Sequence, residues 1–236
     1  MLRRFLPSVI EHSPEAEIIV ADNGSTDESL QLLAERFPDI RVLAFDRNYG
    51  FAEGYNKAIA QIECNYCLLL NSDVRVEKGW LKPMLDYMDN HPEAAACQPK
   101  IRCEWSPDML EYAGACGGYI GRLGFPFCRG RILGTVEHDN GQYDNIATLA
   151  WATGAALFIR REIYLEVGGL DARFFAHQEE IEAFLKDYAY SVKFVNDYID
   201  EAATIMVQQE ILISEEIAKA AIPYCHIVFI DGKASK

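Results

Sequence analysis

An α/β fold built on a mostly parallel sheet is what this sequence predicts, and three observations carry that expectation. Short apolar runs alternate with amphipathic helical stretches from the start of the chain. Residues 68–70 are apolar enough to need cover on both faces, as an inner strand of a parallel sheet does. That run stops abruptly at Asn71, Ser72 and Asp73. Open α/β sheets bind ligands outside the carboxyl ends of their strands. Oxygen-bearing side chains there are therefore candidate ligands for a hard divalent cation holding a diphosphate, although a solvated turn is the plainer reading of this segment alone.

The elements follow in order. Residues 18–21 read as a buried strand, and Asp22-Asn23-Gly24-Ser25 as a turn. Ser25 and Glu28 have capping-box spacing and open a helix with Leu30, Leu33 and Ala34 inward, ending near Phe37-Pro38. Residues 40–45 form the next strand. Asn48 to Phe51 turns into a helix that buries Ala52, Tyr55, Ala58 and Ile59, and residues 66–70 are the third strand. This βαβαβ order implies right-handed crossovers. A helix over 80–88 follows. Residues 114–134, rich in glycine and carrying Arg122, Arg129 and Arg131, read as a long functional loop able to fold over a substrate. A strand over 155–159 and a helix over 161–167, stopped by Gly168 and Gly169, come next. Another helix opens between Phe174 and Glu182. Beyond it the sequence suggests a strand at 191–195, an acidic amphipathic helix over 199–221 and a short strand at 227–230.

Composition narrows the function. With half of its 236 residues apolar and a quarter charged, the chain can fill a proper core. A formal net charge of -14 argues against nucleic acid or an anionic membrane as the main partner. Seven irregularly spaced cysteines suit a reducing compartment, and Cys64 and Cys67, a CxxC without a second pair, read as idle thiols. No apolar stretch approaches a membrane span or a signal-peptide core, so a cytoplasmic location is expected.

Five segments then fall in one characteristic order: residues 20–27, 48–56, 70–73, 151–155 and 169–182. Together they resemble the family 2 glycosyltransferases of the GT-A fold, especially the bacterial rhamnosyltransferase-like branch. The resemblance implies a Rossmann-like, mostly parallel sheet flanked by helices. It implies an inverting transfer of a sugar from a dTDP- or UDP-sugar, dTDP-rhamnose among the candidates, to an acceptor hydroxyl in cell-surface polysaccharide synthesis. It also implies a donor site in which Asp22 accepts from the base and Asn48, Gly50, Gly54, Asn56 and Asn71 line the nucleotide. Asp73 would bind Mg²⁺ or Mn²⁺, and Asn71 stands where the family commonly has a carboxylate. Trp151 and Gly154 would meet the sugar, and Glu180, beside Glu179, would be the base. For each, a plainer role stays open: a turn Asp, packing glycines, a core Trp, acids at a helix start. His177 reads as a solvated or packing residue.

The match covers about residues 3–182 and extends faintly to Val195; residues 1–195 are expected to be an incomplete transferase domain, with 196–236 a tail of unassigned role. The family's usual first strand has no counterpart before Met1, which leaves an inner sheet position open. A partner chain or homo-oligomer covering that exposed sheet is one expectation; an inactive nucleotide-sugar-binding remnant is the alternative function. A glycan or lipid-linked acceptor, reached through peripheral membrane association, is the expected second partner. A nucleotidyltransferase would need a basic glycine loop after its first strand, and the segment 22–28 lacks an EF-hand's central glycine.

Overall fold

The structure, a computed structural model, describes residues 1–122, 125–173 and the main chain of 225–231. It opens with α1 (Leu2–His12), whose Leu2, Phe5, Leu6 and Val9 recur at helical spacing and enter the core. Then come β1 (Glu17–Asp22), α2 (Ser29–Arg36), β2 (Arg41–Ala44), α3 (Gly50–Ile59), β3 (Tyr66–Asn71) and α4 (Lys82–Asn90). Short strands follow: β4 (Ala96–Cys97), β5 (Arg102–Cys103), β6 (Ser106–Leu110), β7 (Gly118–Ile120), β8 (Pro126–Cys128), β9 (Arg131–Ile132) and β10 (Thr135–Val136). The described chain then runs through β11 (Ala156–Arg160) and α5 (Arg161–Glu166), and resumes as β12 (Cys225–Asp231).

The main sheet has the order β2-β1-β12-β3-β11-β4. Its strands β2, β1, β12 and β3 are parallel, whereas β11 runs antiparallel to both β3 and β4. The short strand expected near 227–230 therefore forms, and it takes the inner position that the sequence had left open. With the chain's own strand in that position, the sheet does not require a partner chain there.

Alternate residues of the inner strands feed two cores. Val20, Leu68 and Leu70 face α1 and α4, packing with Leu6, Met88 and Phe158. Ile19, Ala21, Cys67 and Leu69 face α3, packing with Tyr55, Ile59 and Leu157. Cover on both faces is why these strands lack a polar alternation. The buried Arg160 guanidinium donates to the carbonyls of Met88, His91 and Ala94 and to the Tyr66 hydroxyl. It thereby satisfies the carboxyl end of α4 from β11.

Three expectations are corrected. The capping box at Ser25 and Glu28 does not form. The Asp22 carboxylate takes the Ser25 N–H at 3.2 Å, and Asp27 accepts from the Ser29 N–H at 3.0 Å, so the helix starts later. In that short helix Leu33 is buried, while Leu30 and Ala34 face solvent. Residues 114–134 are not one open loop, because β7–β8 and β9–β10 pair as small antiparallel hairpins. Between β9 and β10 the chain reverses at Leu133, a non-glycine residue at positive φ (51°). Cys64 and Cys67 are not joined in a disulfide; their sulfurs lie 3.4 Å apart, within reach of a thiol hydrogen bond.

Candidate functional site

The carboxyl edge of the parallel strands gathers the polar groups. Asp22 ends β1 and Asn71 ends β3, with β12 between them. At one strand spacing per step the two strand ends lie about 10 Å apart, a span suited to a nucleoside diphosphate. Asp22 is only 1 % exposed, and its Oδ1 has no hydrogen-bond partner among the described residues. A buried carboxylate oxygen without a donor is costly. It is a place where a ligand N–H or a cation would bring a gain.

Behind Asp22, Asn23 ties two loops into one wall. Its Nδ2 donates to Asn48 Oδ1 and to the Gly50 carbonyl, while its Oδ1 accepts from the Tyr49 N–H at 2.9 Å. Asn48 Oδ1 also accepts from the Gly50 N–H at 2.7 Å. The two loops touch so closely that a Cβ on Gly24 would sit 2.3 Å from the Arg47 carbonyl carbon. Gly24 and Gly50 both adopt positive φ, at 72° and 77°, which only glycine tolerates without strain. Asn48 and Gly50 are thus held beside Asp22 in a fixed loop, and Gly54 is buried one turn further along α3.

Asn56 has a different position. Its Nδ2 donates to the Leu170 carbonyl, and its Oδ1 accepts from the Leu170 N–H and the Tyr164 hydroxyl. The side chain clamps α3 to the turn after α5, where Gly169 at positive φ makes room for it. Burial pushes the Tyr164 hydroxyl well above its ordinary range, which keeps that donor protonated.

On the β3 side, Asn71 is half-buried and Asp73 exposed. The Asn71 backbone N–H bonds to the Ala155 carbonyl, so the segment from Trp151 to Ala155 borders the same edge. Trp151 is 4 % exposed, and its ring lies directly over Gly114 and Gly118. This gives the ring a packing role in the wall. Gly154 is buried beside it. Thr153 is tied to this wall through Gln98 Oε1 at 2.7 Å and the Ala113 carbonyl at 3.3 Å.

Glu111, Gln98 and Asn23 were not singled out from sequence. Burial raises the Glu111 carboxyl, bonds from the Ala113 and Tyr112 N–H groups partly offset this, and the nearby Asp73 carboxylate raises it further. No motif marks Glu111; only the return of β6 to this edge does. Asn23 lay inside a quoted motif and was hidden by its turn context. Glu179 and Glu180 lie outside the described residues, as do His177 and the elements expected at 174–182, 191–195 and 199–221. Among the described residues, no group of three His, Cys, Asp or Glu side chains comes together to hold a metal.

A strand-end acid with a buried unpaired oxygen and a strand-end amide flank an inner strand at a diphosphate-sized edge, and comparison with known proteins adds a lineage. The model of Glycosyl transferase family 2 matches residues 1–141. The chain belongs to that family. A relative from Mycobacterium tuberculosis, N-acetylglucosaminyl-diphospho-decaprenol L-rhamnosyltransferase, is 29 % identical over 200 residues, covering 77 % of this chain and 64 % of the relative. The O-antigen biosynthesis protein RfbC of Myxococcus xanthus is 26 % identical over 83 % of this chain and 15 % of its own length. The chain thus spans less than two thirds of these relatives. GalNAc-T7, solved with UDP, GalNAc and Mn²⁺, superposes with TM-score 0.58 at 17 % identity over 78 % of this chain and 37 % of that one. Residues 1–349 of S. aureus TarS give 0.53 at 17 % identity, over 78 % and 50 %. The fold of this family 2 member is GT-A-like.

Proposed function

We propose that this chain binds a nucleotide-diphosphate sugar across the carboxyl edge of β1, β12 and β3 and transfers the sugar, with inversion, to an acceptor hydroxyl. The observation that carries the proposal is the unpartnered buried oxygen of Asp22 on the same sheet edge as Asn71 and Asp73. On this reading Asp22 accepts from the imide N–H of a pyrimidine base, dTDP or UDP. Asn23 keeps the loop of Asn48 and Gly50 closed against the ribose and phosphates, and Gly54 allows backbone approach. Asn56 acts from behind, as a clamp on the floor of the site.

The donor set at β3 fits a hard cation. One carboxylate and one amide oxygen match Mg²⁺ or Mn²⁺, which take few protein ligands and complete their shell with phosphate and water. Asp73 and Asn71 would hold the ion, which offsets charge on the departing diphosphate. A neutral Asn71 makes Asp73 the dominant protein ligand. Glu180 is the proposed base that takes the acceptor proton, with Glu179 next to it in the chain. Trp151 and Gly154 back the wall near the sugar.

The rhamnosyltransferase and O-antigen names among the relatives support a cell-surface polysaccharide product and a deoxysugar donor such as dTDP-rhamnose. The decaprenol in one of those names supports a lipid-linked acceptor met at the cytoplasmic face of a membrane. The hairpins offer a surface for that encounter: Phe125, Phe127, Ile132 and Leu133 are exposed there, with Arg122 beside them. No helix among the described residues is long and apolar enough to cross a membrane. Incubation with dTDP-rhamnose or UDP-sugars and a lipid-diphosphate sugar acceptor tests the reading. Wild type should form product, while Glu180→Gln should bind donor and form none. Product from Glu180→Gln at the wild-type rate would remove Glu180 from the mechanism.

A further inference from the structure

The strand that completes the sheet comes from the far end of the chain, and its last residue carries a carboxylate. β12 pairs in parallel with β1 on one side and with β3 on the other, six residues in register with each. It occupies the place where the sheet order changes direction: β1 leads outward to β2, while β3 leads the other way to β11 and β4. In open α/β sheets ligands bind in the crevice outside the carboxyl ends of the strands. That end of β12 is Asp231.

The register sets Asp231 level with Asp22, and Ile230 level with Asn71. The main chains of Asp22 and Asp231 are therefore one strand spacing apart, about 4.8 Å. Two carboxylate-bearing residues side by side at a strand end are disfavoured unless a donor or a cation lies within reach. Of the two Asp22 oxygens, Oδ2 takes the Ser25 N–H and Oδ1 has no partner among the described residues.

We infer that Asp231 is a nucleoside-diphosphate-binding residue, brought to the crevice by the carboxy-terminal strand and acting beside Asp22. The inference rests on the donor site proposed above. It adds that this site is assembled from both ends of the chain, so that nucleotide binding and docking of β12 stabilise each other. A ligand that touches the docked strand binds more tightly to the docked form, and by linkage shifts the chain toward it.

The test uses the full chain with UDP and Mn²⁺ in a calorimeter. Asp231→Ala should weaken UDP binding about tenfold, the effect of losing one hydrogen bond to a charged group, with the thermal midpoint unchanged. Asp231→Asn, which keeps an acceptor oxygen, should recover part of the loss. In wild type, saturating UDP should slow amide exchange across residues 225–231. A folded Asp231→Ala chain that binds UDP within about twofold of wild type overturns the inference and leaves the donor site standing. If the variant does not fold, wild-type exchange decides, and strand amides indifferent to UDP overturn it. A wild-type chain that binds neither UDP nor dTDP overturns this inference together with the reading on which it rests.

Discussion

Asn23 shows how much one buried amide can organise. It is 3 % exposed and joins the turn after β1 to the loop before α3 through three hydrogen bonds. Truncation would leave the Gly50 carbonyl and the Tyr49 N–H without their partner. Asn23→Ala should therefore lower stability by about 2–3 kcal/mol, read as a fall in the urea midpoint, and weaken nucleotide binding in parallel. An unchanged midpoint would show that the clamp carries no energy. Glu111 supplies the pH prediction. Its folded carboxyl titrates above its ordinary 4.5, chiefly through burial. In the window above that value the folded chain holds more protons than the unfolded chain, so stability falls as pH rises through it. Glu111→Gln should flatten this fall in urea unfolding series at increasing pH; an identical slope in the variant would assign the fall to other groups. The placement of Asp22 and Asn71 at strand ends was legible because a strand end and a polar run coincide in the sequence. The clamp roles of Asn23 and Asn56 were not, since their partners lie 26 and 114 residues away.

At the scale of elements, periodicity was informative wherever an element packs on the sheet. The run of Ala52, Tyr55, Ala58 and Ile59 gave the buried face of α3 correctly. The apolar runs gave β1, β3 and β11 within a residue or two. It failed where local polar bonds compete, as at the start of α2, and where strands are too short to show a pattern. The hairpins β7–β8 and β9–β10 have strands of two or three residues, held by turn geometry and by Gly118 lying under the Trp151 ring. Their exposed side chains carry a prediction of their own. Arg122 is exposed just after β7 in the chain and favours an anionic surface despite the acidic whole. Pelleting with vesicles of phosphatidylglycerol and phosphatidylcholine should exceed pelleting with phosphatidylcholine alone. Replacing both Ile132 and Leu133 by Asp should abolish it. Equal pelleting of that double variant would remove the hairpins from membrane contact.

For the whole molecule, the distribution of work along the chain is uneven. Residues 17–71 build three parallel strands and most of the ligand edge, residues 96–160 add the wall, and β12 closes the sheet from the far end. The sequence showed the first part plainly, because βαβ units are local. It did not show where β12 goes, because strand position in a sheet is a long-range choice that residues 225–231 do not encode by themselves. Removing residues 225–236 strips an inner strand whose main chain is paired on both sides. That chain should lose cooperative thermal unfolding, and a sharp transition near the full-length midpoint would mean that β12 is dispensable.

A donor site spread between Asp22 and Asp73 should reveal itself in calorimetric titration of the full chain with UDP and dTDP, with and without Mn²⁺. Saturable binding that Mn²⁺ strengthens should appear for at least one nucleotide. Asp73→Ala should lose the metal enhancement, and Asp22→Ala should lose affinity whether or not the metal is present. Titrations that show no heat for either nucleotide, or variants that bind as wild type does, would contradict the assignment of this sheet edge to a nucleotide sugar.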